Sequence, residues 1–418
     1  MKMPFINDKP IRLIELFGGI GSQAMALSKL GVNFEHYRLV EFDKYPVASY
    51  NAIHSTNFTP MDITKIHGED LGIVDTNKFC YLMTYSFPCQ DLSIAGKQRG
   101  MSKGNGTRSG LLWEVERLLN ETEHLPQLLL MENVPQVHSN KNREDFENWI
   151  QFLENKGYSN YWQDLNAKDY GVAQHRNRCF MVSILGNYCF YFPKPYPLTK
   201  RMVDYLEDSV DEKYYIDNEK SSALIKKLTD NGTLPIERET FDLTINNPQR
   251  RTIANCISAR TDRGISNRMA EGTGVVEYSF ANRKYNKGGN ETVDEPCIIR
   301  EPPLERDGWH RNAKEVLNVN GLCRTLNTQS NNLCTKIKEE PSFRIRKLTP
   351  KECYRLMGFD DKSFERAEQV NSNTQLYKQA GNSIVVDVLV AIFDSLLIHG
   401  RSAWLDELLE DKEESQCS

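Results

Sequence analysis

The chain has 418 residues, of which 39% are hydrophobic and 26% charged, and its formal net charge is −5. This length exceeds one average hydrophobic core and predicts two domains, while the ordinary balance of apolar and charged residues excludes a disordered chain. The net charge is not that of a strongly basic nucleic-acid binder, although a local basic face can still bind phosphates.

The distribution of cysteines and the hydropathy of the chain narrow the class of protein further. Ten Cys residues are scattered without a C-x-x-C pair or a paired Cys/His spacing, so we expect neither a metal site nor a disulfide framework. No apolar run approaches a membrane span, and no charged-then-apolar leader precedes a cleavage site. We therefore expect a cytoplasmic protein without a membrane partner.

The first predicted βα unit carries a glycine-rich turn. Ile11–Phe17 predict a strand, Gly18–Ser22 a turn and Gln23–Leu30 a helix. The glycines let the backbone approach a ligand, and the helix N-terminus offers free N–H groups. The segment Gly19–Ala24 fits G-x-G-x-x-A, although a tight turn without a ligand would look the same.

Two acidic residues follow at positions that suit a nucleotide cofactor. The second predicted strand, Tyr37–Phe42, contains Glu41, about 20 residues beyond the glycines, where a carboxylate can hold ribose hydroxyls. An exposed carboxylate at the end of a strand would give the same pattern. Asp62, after a Pro-Met turn, is a further candidate of this kind.

A cysteine stands at the end of the next predicted strand. The apolar stretch that begins at Phe79 is stopped by Pro88, so Cys89 falls on the turn just past the carboxyl end. Ligands and chemistry collect at this edge of an open α/β sheet, and an exposed thiol there can ionise to a nucleophile. The alternative is a buried Cys that packs as a small hydrophobic residue.

The segment Gly96–Gly110 is rich in Gly and basic residues and lacks apolar periodicity. We interpret it as a mobile loop that closes over a site, with an ordinary surface loop as the alternative. A helix is predicted from Ser109 onward.

A second reactive group is predicted on a neighbouring strand. The apolar run Gln127–Met131 indicates a central parallel strand that ends in Glu132. This carboxyl group could give a proton to a bound ring, or it could cap the following helix, Arg143–Asn155. Farther on, Gln174, Arg176 and Arg178 alternate before a buried strand, so they would share one side of an extended segment; surface salt bridges are the alternative for the arginines.

The pattern changes from about Tyr191 to about Ser342, where prolines and Asn-Gly or Gly-Gly turns replace the βα rhythm. We interpret this part as a second domain or large insertion. Between Arg250 and Lys287 there are eight Lys or Arg against three Asp or Glu, interleaved with Asn, Ser and Thr. Such a stretch can contact phosphates and base edges, or it can be a solvated basic face. The polar segment Gly321–Ser330 is a second candidate.

The C-terminal part returns to helices. Thr349 and Pro350 have the N-cap and N1 residue types of a helix start. Tyr377–Ser383 then turn into a last apolar helix, Ile384–Ile398, and the tail after Trp404 is acidic.

Taken in order, these residues resemble the cytosine-C5 DNA methyltransferases of bacterial and phage restriction-modification systems, over nearly the whole chain except Tyr191–Ser342. Each motif alone is weakly specific, but their shared order and spacing make the resemblance strong. Ser22 departs from the glycine that the family often has there, and a Ser should still fit the turn. The matching motifs are Phe17–Gly21, Glu41, Phe87–Gln90, Glu132–Val134, Gln174-x-Arg-x-Arg178, Arg346–Pro350 and Gly381–Ser383.

The resemblance implies an α/β fold with the Rossmann-like sheet of S-adenosylmethionine-dependent methyltransferases and a second, smaller target-recognition domain. It divides the chain into a catalytic and cofactor-binding domain at 1–193, rejoined by 372–400, a target-recognition domain with a hinge at 194–371, and an acidic tail at 401–418. It also implies a monomer acting on double-stranded DNA, with a cognate restriction endonuclease as a candidate functional partner.

The resemblance assigns roles to residues. Cys89 matches the nucleophile that adds to cytosine C6, Glu132 the group that protonates N3, and Arg178 the arginine that binds O2; Arg176 of the same motif joins this catalytic set. Such a Glu must hold a proton near neutral pH, so we expect burial to raise its pKa. The expected S-adenosylmethionine contacts are Phe17, Gly19, Gly21, Glu41, Phe42, Asp62, Pro88, Asn382 and Ser383. The expected DNA contacts are Gln90, Ser93, Arg99, Gln174, Arg260, Arg263 and Arg268.

Three other functions are alternatives to this one. The same chemistry on tRNA needs less of the large insertion, and the chain lacks the Cys-Phe-Thr tripeptide of the tRNA-directed relative. A NAD-dependent oxidoreductase would explain the glycine turn but not Pro88–Gln90 beside Glu132. A non-catalytic DNA-binding regulator would not need Cys89 and Glu132 intact.

Overall fold

A computed structural model of the chain describes residues 2–88, 108–216, 219–235, 238–244, 248–265, 272–279, 286–287, 291–292, 316–318, 336–338 and 342–398. A six-stranded sheet forms its centre, in the order β3-β2-β4-β5-β7-β6. Its strands are β2 (Ile11–Leu16), β3 (Phe34–Val40), β4 (Cys80–Tyr85), β5 (Leu128–Asn133), β6 (Tyr158–Asn166) and β7 (Asn177–Leu185). Strands β2 to β5 pair in parallel, whereas β7 runs antiparallel to both of its neighbours.

Helices cover both faces of this sheet because its strands are apolar on both sides. In β5, Leu128 and Leu130 enter one hydrophobic cluster, and Leu129 and Met131 enter the other. The helices on the first face are α1 (Ser22–Lys29), α2 (Lys44–His54), α6 (Pro350–Leu356), α7 (Asp361–Glu368), α8 (Asn373–Asn382) and α9 (Val386–Phe393). Those on the second face are α3 (Leu112–Glu121) and α4 (Arg143–Asn155).

A smaller antiparallel sheet follows, in the order β11-β10-β12-β17-β9, and α5 (Glu219–Asp230) packs on it through a hydrophobic cluster of its own. Its strands are β9 (Tyr215–Ile216), β10 (Glu239–Asp242), β11 (Gln249–Arg250), β12 (Thr273–Ser279) and β17 (Ser342–Lys347). Short paired strands complete the described elements: β1 (Met3–Pro4) with β8 (Tyr188–Cys189), β13 (Asn286–Lys287) with β14 (Glu291–Thr292), and β15 (Val316–Asn318) with β16 (Lys336–Lys338).

Local sequence signals located several elements correctly. The predicted helix Arg143–Asn155 is α4 itself. Thr349 caps α6, accepting a hydrogen bond from the Glu352 N–H, while the Glu352 carboxylate accepts one from the Thr349 N–H. The predicted strand Tyr37–Phe42 instead ends at Val40, because its pairing with β2 ends at Leu16 and Val40 and leaves Glu41 and Phe42 beyond the edge of the sheet.

The predicted boundary at residue 371 is crossed by apolar packing. Helices α6 and α7 belong to the same hydrophobic cluster as α1 and α2, and Arg366 of α7 donates to the Ile53 carbonyl at 2.8 Å. The division at 193 and 371 therefore stays a prediction, and the first core extends into residues assigned to the second domain.

By length and composition, Asn373–Leu397 is the one described helical stretch apolar enough to cross a membrane. Sixty-seven per cent of its apolar window is buried inside the protein, and α9 packs on α1 with Leu389, Ile392 and Phe393 fully buried. This burial is that of a core helix.

Candidate active site

A cavity of about 650 Å³ opens at the carboxyl edge of the six-stranded sheet. Parallel strands β2, β3, β4 and β5 all end at this edge, and antiparallel β7 begins there, with Cys179 opposite Asn133. The predicted site residues that line the cavity are Phe17, Gly19, Glu41, Phe42, Asp62, Pro88, Glu132, Arg176, Arg178, Asn382 and Ser383. The edge thus joins residues from both ends of the chain.

The turn after β2 has a conformation that brings backbone to the cavity wall. Phe17 has φ 58°, in a backbone region that residues other than glycine rarely adopt, and Gly19 has φ 57°. A Cβ at Gly19 would meet no protein atom within 4 Å, so its free face is open to a ligand. Gly21, with φ 82°, is the N-cap of α1 and is not among the cavity-lining residues.

Glu41 is bonded to the same turn. Its Oε2 accepts from the Gly19 N–H at 3.2 Å and its Oε1 from the Asp43 N–H at 2.9 Å. Burial raises the pKa of this carboxyl group, although both backbone donors oppose the rise. The carboxyl group is therefore held in one orientation at the cavity rim.

An exposed aromatic ring stands next to Glu41. Phe42 is 74% exposed and lines the cavity, an arrangement that leaves a flat apolar face for a planar ligand. Asp62 lies on the same wall, where its Oδ1 accepts from the backbone and hydroxyl of Thr64 at 3.0 and 2.8 Å. These bonds lower the Asp62 pKa, so the group is an anion at neutral pH.

The end of α8, in the C-terminal part of the chain, forms part of the cavity wall. Ser383 donates its hydroxyl to the Gln379 carbonyl at 2.7 Å, and Ser22 accepts from the Ile384 N–H at 3.3 Å. A Cβ at Gly381 would approach the Ala259 nitrogen to 2.2 Å, so only glycine permits this contact between α8 and the segment before Arg260.

Glu132 and Arg178 form an ion pair inside the cavity. The Arg178 Nε lies 3.1 Å from the Glu132 Oε1, and the two side chains are 17% and 11% exposed. Burial raises the pKa of Glu132, and Arg178 and then Arg176 oppose that rise. The direction of the expected shift is confirmed.

Arg176 is buried and donates to three carbonyl groups in two separate parts of the chain. Its guanidinium donates to the carbonyls of Ile257 at 2.8 Å, Gly381 at 3.0 Å and Ser383 at 2.6 Å. Because a planar guanidinium fixes each donor direction, Arg176 holds the end of α8 against the segment around Ile257. Its geometry is that of a positioning group at the wall of the cavity.

Asn133 is a site residue for which no role was predicted from the sequence. Its amide donates to the Phe87 carbonyl at 3.0 Å, and its Oδ1 accepts from the Val134 N–H at 2.9 Å. It therefore fixes the turn after β4 relative to the end of β5. The sequence signal that could have marked Asn133 as a site residue is its position directly after Glu132, at the end of a predicted strand.

Gln174 corrects an expectation. It is fully buried, its amide donates to the Leu356 carbonyl at 2.8 Å and its Oε1 accepts from the Ile257 N–H at 3.0 Å. A side chain with no exposed atom and both polar ends bonded has nothing to offer DNA, so we assign it a structural role.

The other predicted DNA contacts remain predictions. Arg260 and Arg263 are exposed at either end of a short turn of 3-10 helix, Thr261–Arg263, and neither lines the cavity. Cys89, Gln90, Ser93, Arg99 and Arg268, with the predicted loop at 96–110 up to residue 107, lie outside the described residues.

Within the described ranges, one group of side chains could hold a metal ion, which the Cys and His spacing did not predict. The ligand atoms of His138, Asp164 and Cys179 lie within 4.8 Å of one another. A hydrogen bond of 3.0 Å between His138 Nε2 and Asp164 Oδ1 already accounts for the approach of two of them.

The sheet order, with one antiparallel strand at β7, and a cavity at its carboxyl edge define the fold of the S-adenosylmethionine-dependent methyltransferases. Solved structures with this fold include Entamoeba histolytica methyltransferase EhMeth, with TM-score 0.59, 16% identity, and coverage of 93% of this chain and 98% of that one. The S. pombe Dnmt2 methyltransferase has TM-score 0.57 and 19% identity, and the match covers 92% of this chain and 97% of that one.

The sequence comparisons identify the family. The model of the C-5 cytosine-specific DNA methylases matches residues 11–397, so the chain belongs to this family and is a DNA cytosine-C5 methyltransferase. Type II methyltransferase M2.ScrFI of Lactococcus lactis subsp. cremoris is 28% identical, with 92% of this chain and 99% of the relative covered. Orphan methyltransferase M.SssI of Spiroplasma monobiae is 30% identical, with 93% and 98% covered. The resemblance inferred from the motifs is confirmed, and the oxidoreductase reading of the glycine turn is set aside.

Proposed function

We propose that this methyltransferase uses S-adenosylmethionine to methylate a cytosine flipped out of duplex DNA, through a covalent adduct with Cys89. The observation that carries the proposal is the shared cavity. One half has an open glycine turn, the Glu41 carboxyl group and the exposed Phe42 ring, and the other half has the buried Glu132–Arg178 pair.

The first half of the cavity fits the cofactor. Glu41 would accept hydrogen bonds from the ribose hydroxyls, and Phe42 and Phe17 would contact the adenine faces. Asp62 would accept from the adenine amine, and the Gly19 backbone, Pro88, Asn382 and Ser383 would complete the wall. Bound there, S-adenosylmethionine supplies an electrophilic methyl group.

The second half of the cavity fits the target base. Cytosine C5 is a poor nucleophile, and addition of the Cys89 thiolate to C6 turns the ring into an enamine that is nucleophilic at C5. Glu132 gives its proton to N3 as electron density moves there, which requires the raised pKa that burial provides. Arg178 donates to O2 and stabilises the adduct. After C5 has gained the methyl group, its proton is lost to solvent and the C6–S bond breaks, which releases the Cys89 thiolate. N3 returns its proton to Glu132, so that the neutral aromatic ring and the acid are both restored.

The base cannot be reached while it is stacked in a duplex, so it must be extruded into the cavity. We assign base reading to the target-recognition domain at 194–371, where Arg260 and Arg263 are exposed cations. Relatives include both type II and orphan methyltransferases. We propose a monomer that acts in a bacterial or phage-infected cell, with or without a cognate restriction endonuclease.

Methyl transfer from labelled S-adenosylmethionine to duplex DNA tests the proposal. Cys89→Ser should abolish methyl transfer, while its affinity for S-adenosylmethionine stays within about twofold of the wild-type value. The matched variant Cys189→Ser should keep both methyl transfer and S-adenosylmethionine binding. DNA that contains 5-fluorocytosine has no C5 proton to lose, so it should trap a covalent complex with the wild type and with Cys189→Ser but not with Cys89→Ser. Methyl transfer retained by Cys89→Ser would show that Cys89 is not the nucleophile. Methyl transfer to tRNA in place of duplex DNA would show that the assigned substrate is wrong.

A further inference from the structure

The glycine turn of the cofactor half is bonded on its outer side to α2. His54 belongs to the last turn of α2, and its Nε2 lies 3.1 Å from the carbonyl oxygen of Ile20. Gly19 and Ile20 line the cavity, whereas Gly21 does not. The bond therefore joins α2 to the peptide that leads from the cavity wall into the start of α1.

Gly21 makes this contact possible. Its φ is 82°, and a Cβ at this position would overlap His54 Nε2 and come within 2.7 Å of a Tyr50 ring carbon. Any side chain here would push both rings away from the turn. The close approach of α2 to the turn therefore depends on glycine.

The His54 ring is packed between two other rings. Its centroid lies 4.6 Å from that of Tyr50 and 5.1 Å from that of His36. The Tyr50 hydroxyl donates to the buried carboxyl group of Glu15 in β2, and His36 Nδ1 lies 2.8 Å from the same hydroxyl. Because these bonds fix the Tyr50 ring, they also limit how far the imidazole of His54 can rotate.

The imidazole of His54 is neutral, and the carbonyl of Ile20 decides which nitrogen carries its proton. Burial and then His36 lower the pKa of His54 to about 4, although the bond to Ile20 opposes this change. A neutral imidazole has one N–H group, and a carbonyl oxygen can only accept. Nε2 therefore carries the proton and donates it to Ile20.

The other end of α2 lies at the ribose side of the cavity. The helix begins after its N-cap Asp43, two residues beyond Glu41. Lys378 of α8 lies 2.7 Å from the Asp43 carboxylate, and Arg366 of α7 donates to the Ile53 carbonyl at 2.8 Å. Helix α2 is thus bonded at both ends to the C-terminal helices, and it sets the distance between Glu41 and the glycine turn.

We propose that His54 is a positioning residue for the cofactor, because its bond to the Ile20 carbonyl holds the glycine turn in the conformation that receives S-adenosylmethionine. His54 does not line the cavity itself, so it acts through the turn. This inference rests on the proposed binding of S-adenosylmethionine in this half of the cavity.

Calorimetry of S-adenosylmethionine binding to the whole chain, together with steady-state methyl transfer to duplex DNA, tests the inference. His54→Leu removes the donor to a buried carbonyl, so we expect the affinity for S-adenosylmethionine to fall about tenfold. The KM for S-adenosylmethionine should rise by a similar factor, while kcat and the KM for DNA stay within about twofold. His54→Gln keeps an N–H donor at a similar reach and should return the affinity to within about threefold of the wild-type value.

His36→Leu is the matched control. His36 belongs to the same group of rings, but it bonds to Tyr50 and not to the turn. The affinity of this variant for S-adenosylmethionine should stay within about twofold of the wild-type value. Equal losses in His54→Leu and His36→Leu, or no recovery in His54→Gln, would show that His54 acts only by packing and would overturn the proposal.

Glu41→Gln separates this inference from the proposed function. If Glu41→Gln weakens S-adenosylmethionine binding and His54→Leu does not, the role of His54 alone is wrong. If neither variant weakens binding, the cofactor half is wrongly assigned and both proposals fail.

A measurement on the wild type covers the case in which His54→Leu does not fold. Nuclear magnetic resonance of isotope-labelled histidine rings should show His54 at neutral pH as the neutral tautomer with its proton on Nε2. A proton on Nδ1 alone, or on both nitrogens, would refute the inference.

Discussion

Replacement of Arg346 by Met should strongly destabilise the protein. Arg346 is fully buried, and its two Nη atoms each lie 2.9 Å from an oxygen of Glu352, which is also fully buried. Its Nε donates to Glu277 at 2.8 Å. The three residues join β17, β12 and α6, so this cluster links the smaller sheet to the core that carries the cavity.

The magnitude follows from what the substitution leaves behind. Glu277 keeps Arg238 at 3.1 Å, whereas the donors left to Glu352 among the described residues are neutral, the N–H groups of Glu207 and Thr349. Breaking a buried pair by removal of one partner costs about 3–5 kcal/mol, because an uncompensated charge stays buried. We expect the free energy of unfolding to fall by that amount.

Arg344→Met is the matched control, two residues earlier on the same strand. Arg344 pairs with Glu212, which is 77% exposed, and such surface pairs contribute about 0–1 kcal/mol. Urea unfolding followed by circular dichroism should separate the two variants, and Arg346→Met with Glu352→Gln should recover part of the loss. Equal losses below about 1 kcal/mol in both single variants would refute this reasoning.

Three further predictions concern pH, the cofactor and the target. Burial raises the pKa of Glu15 from 4.5 to about 8 against a Tyr50 hydrogen bond, so its contribution to stability is present below pH 4.5 and is lost as pH rises through 8. As pH rises from 4.5 to about 8, the free energy of unfolding of Glu15→Gln should therefore rise by a few kcal/mol relative to that of the wild type, measured by urea unfolding at each pH. The same pH dependence of the free energy of unfolding in both proteins would contradict this prediction. Phe42→Ala should weaken S-adenosylmethionine binding by about 1–2 kcal/mol in calorimetry, whereas Tyr45→Ala, an exposed aromatic that does not line the cavity, should not; equal affinities would exclude stacking on Phe42. Exchange of Tyr191–Ser342 for a relative's segment should change the methylated site in bisulfite sequencing, and an unchanged site would place recognition elsewhere.

The sequence alone determined the features that depend on neighbours along the chain. The glycine turn after β2, the carboxyl group of Glu132 at the end of an apolar run and the capped start of α6 are all local patterns of residue type and spacing. Parallel strands end at one edge of a sheet, so strand ends could be expected to meet there even though they are far apart in sequence.

Only the tertiary structure decided which of these side chains are buried and what they touch. The alternation of Gln174, Arg176 and Arg178 predicted that they share one side of an extended segment. However, the first two precede the strand that begins at Asn177 and bond to Ile257 and to the end of α8. Likewise nothing near Cys256 in the sequence indicates that its sulfur lies beside the guanidinium groups of Arg176 and Arg178. Burial and charge pairing depend on contacts between distant segments, and these set the pKa values on which the proposed chemistry depends.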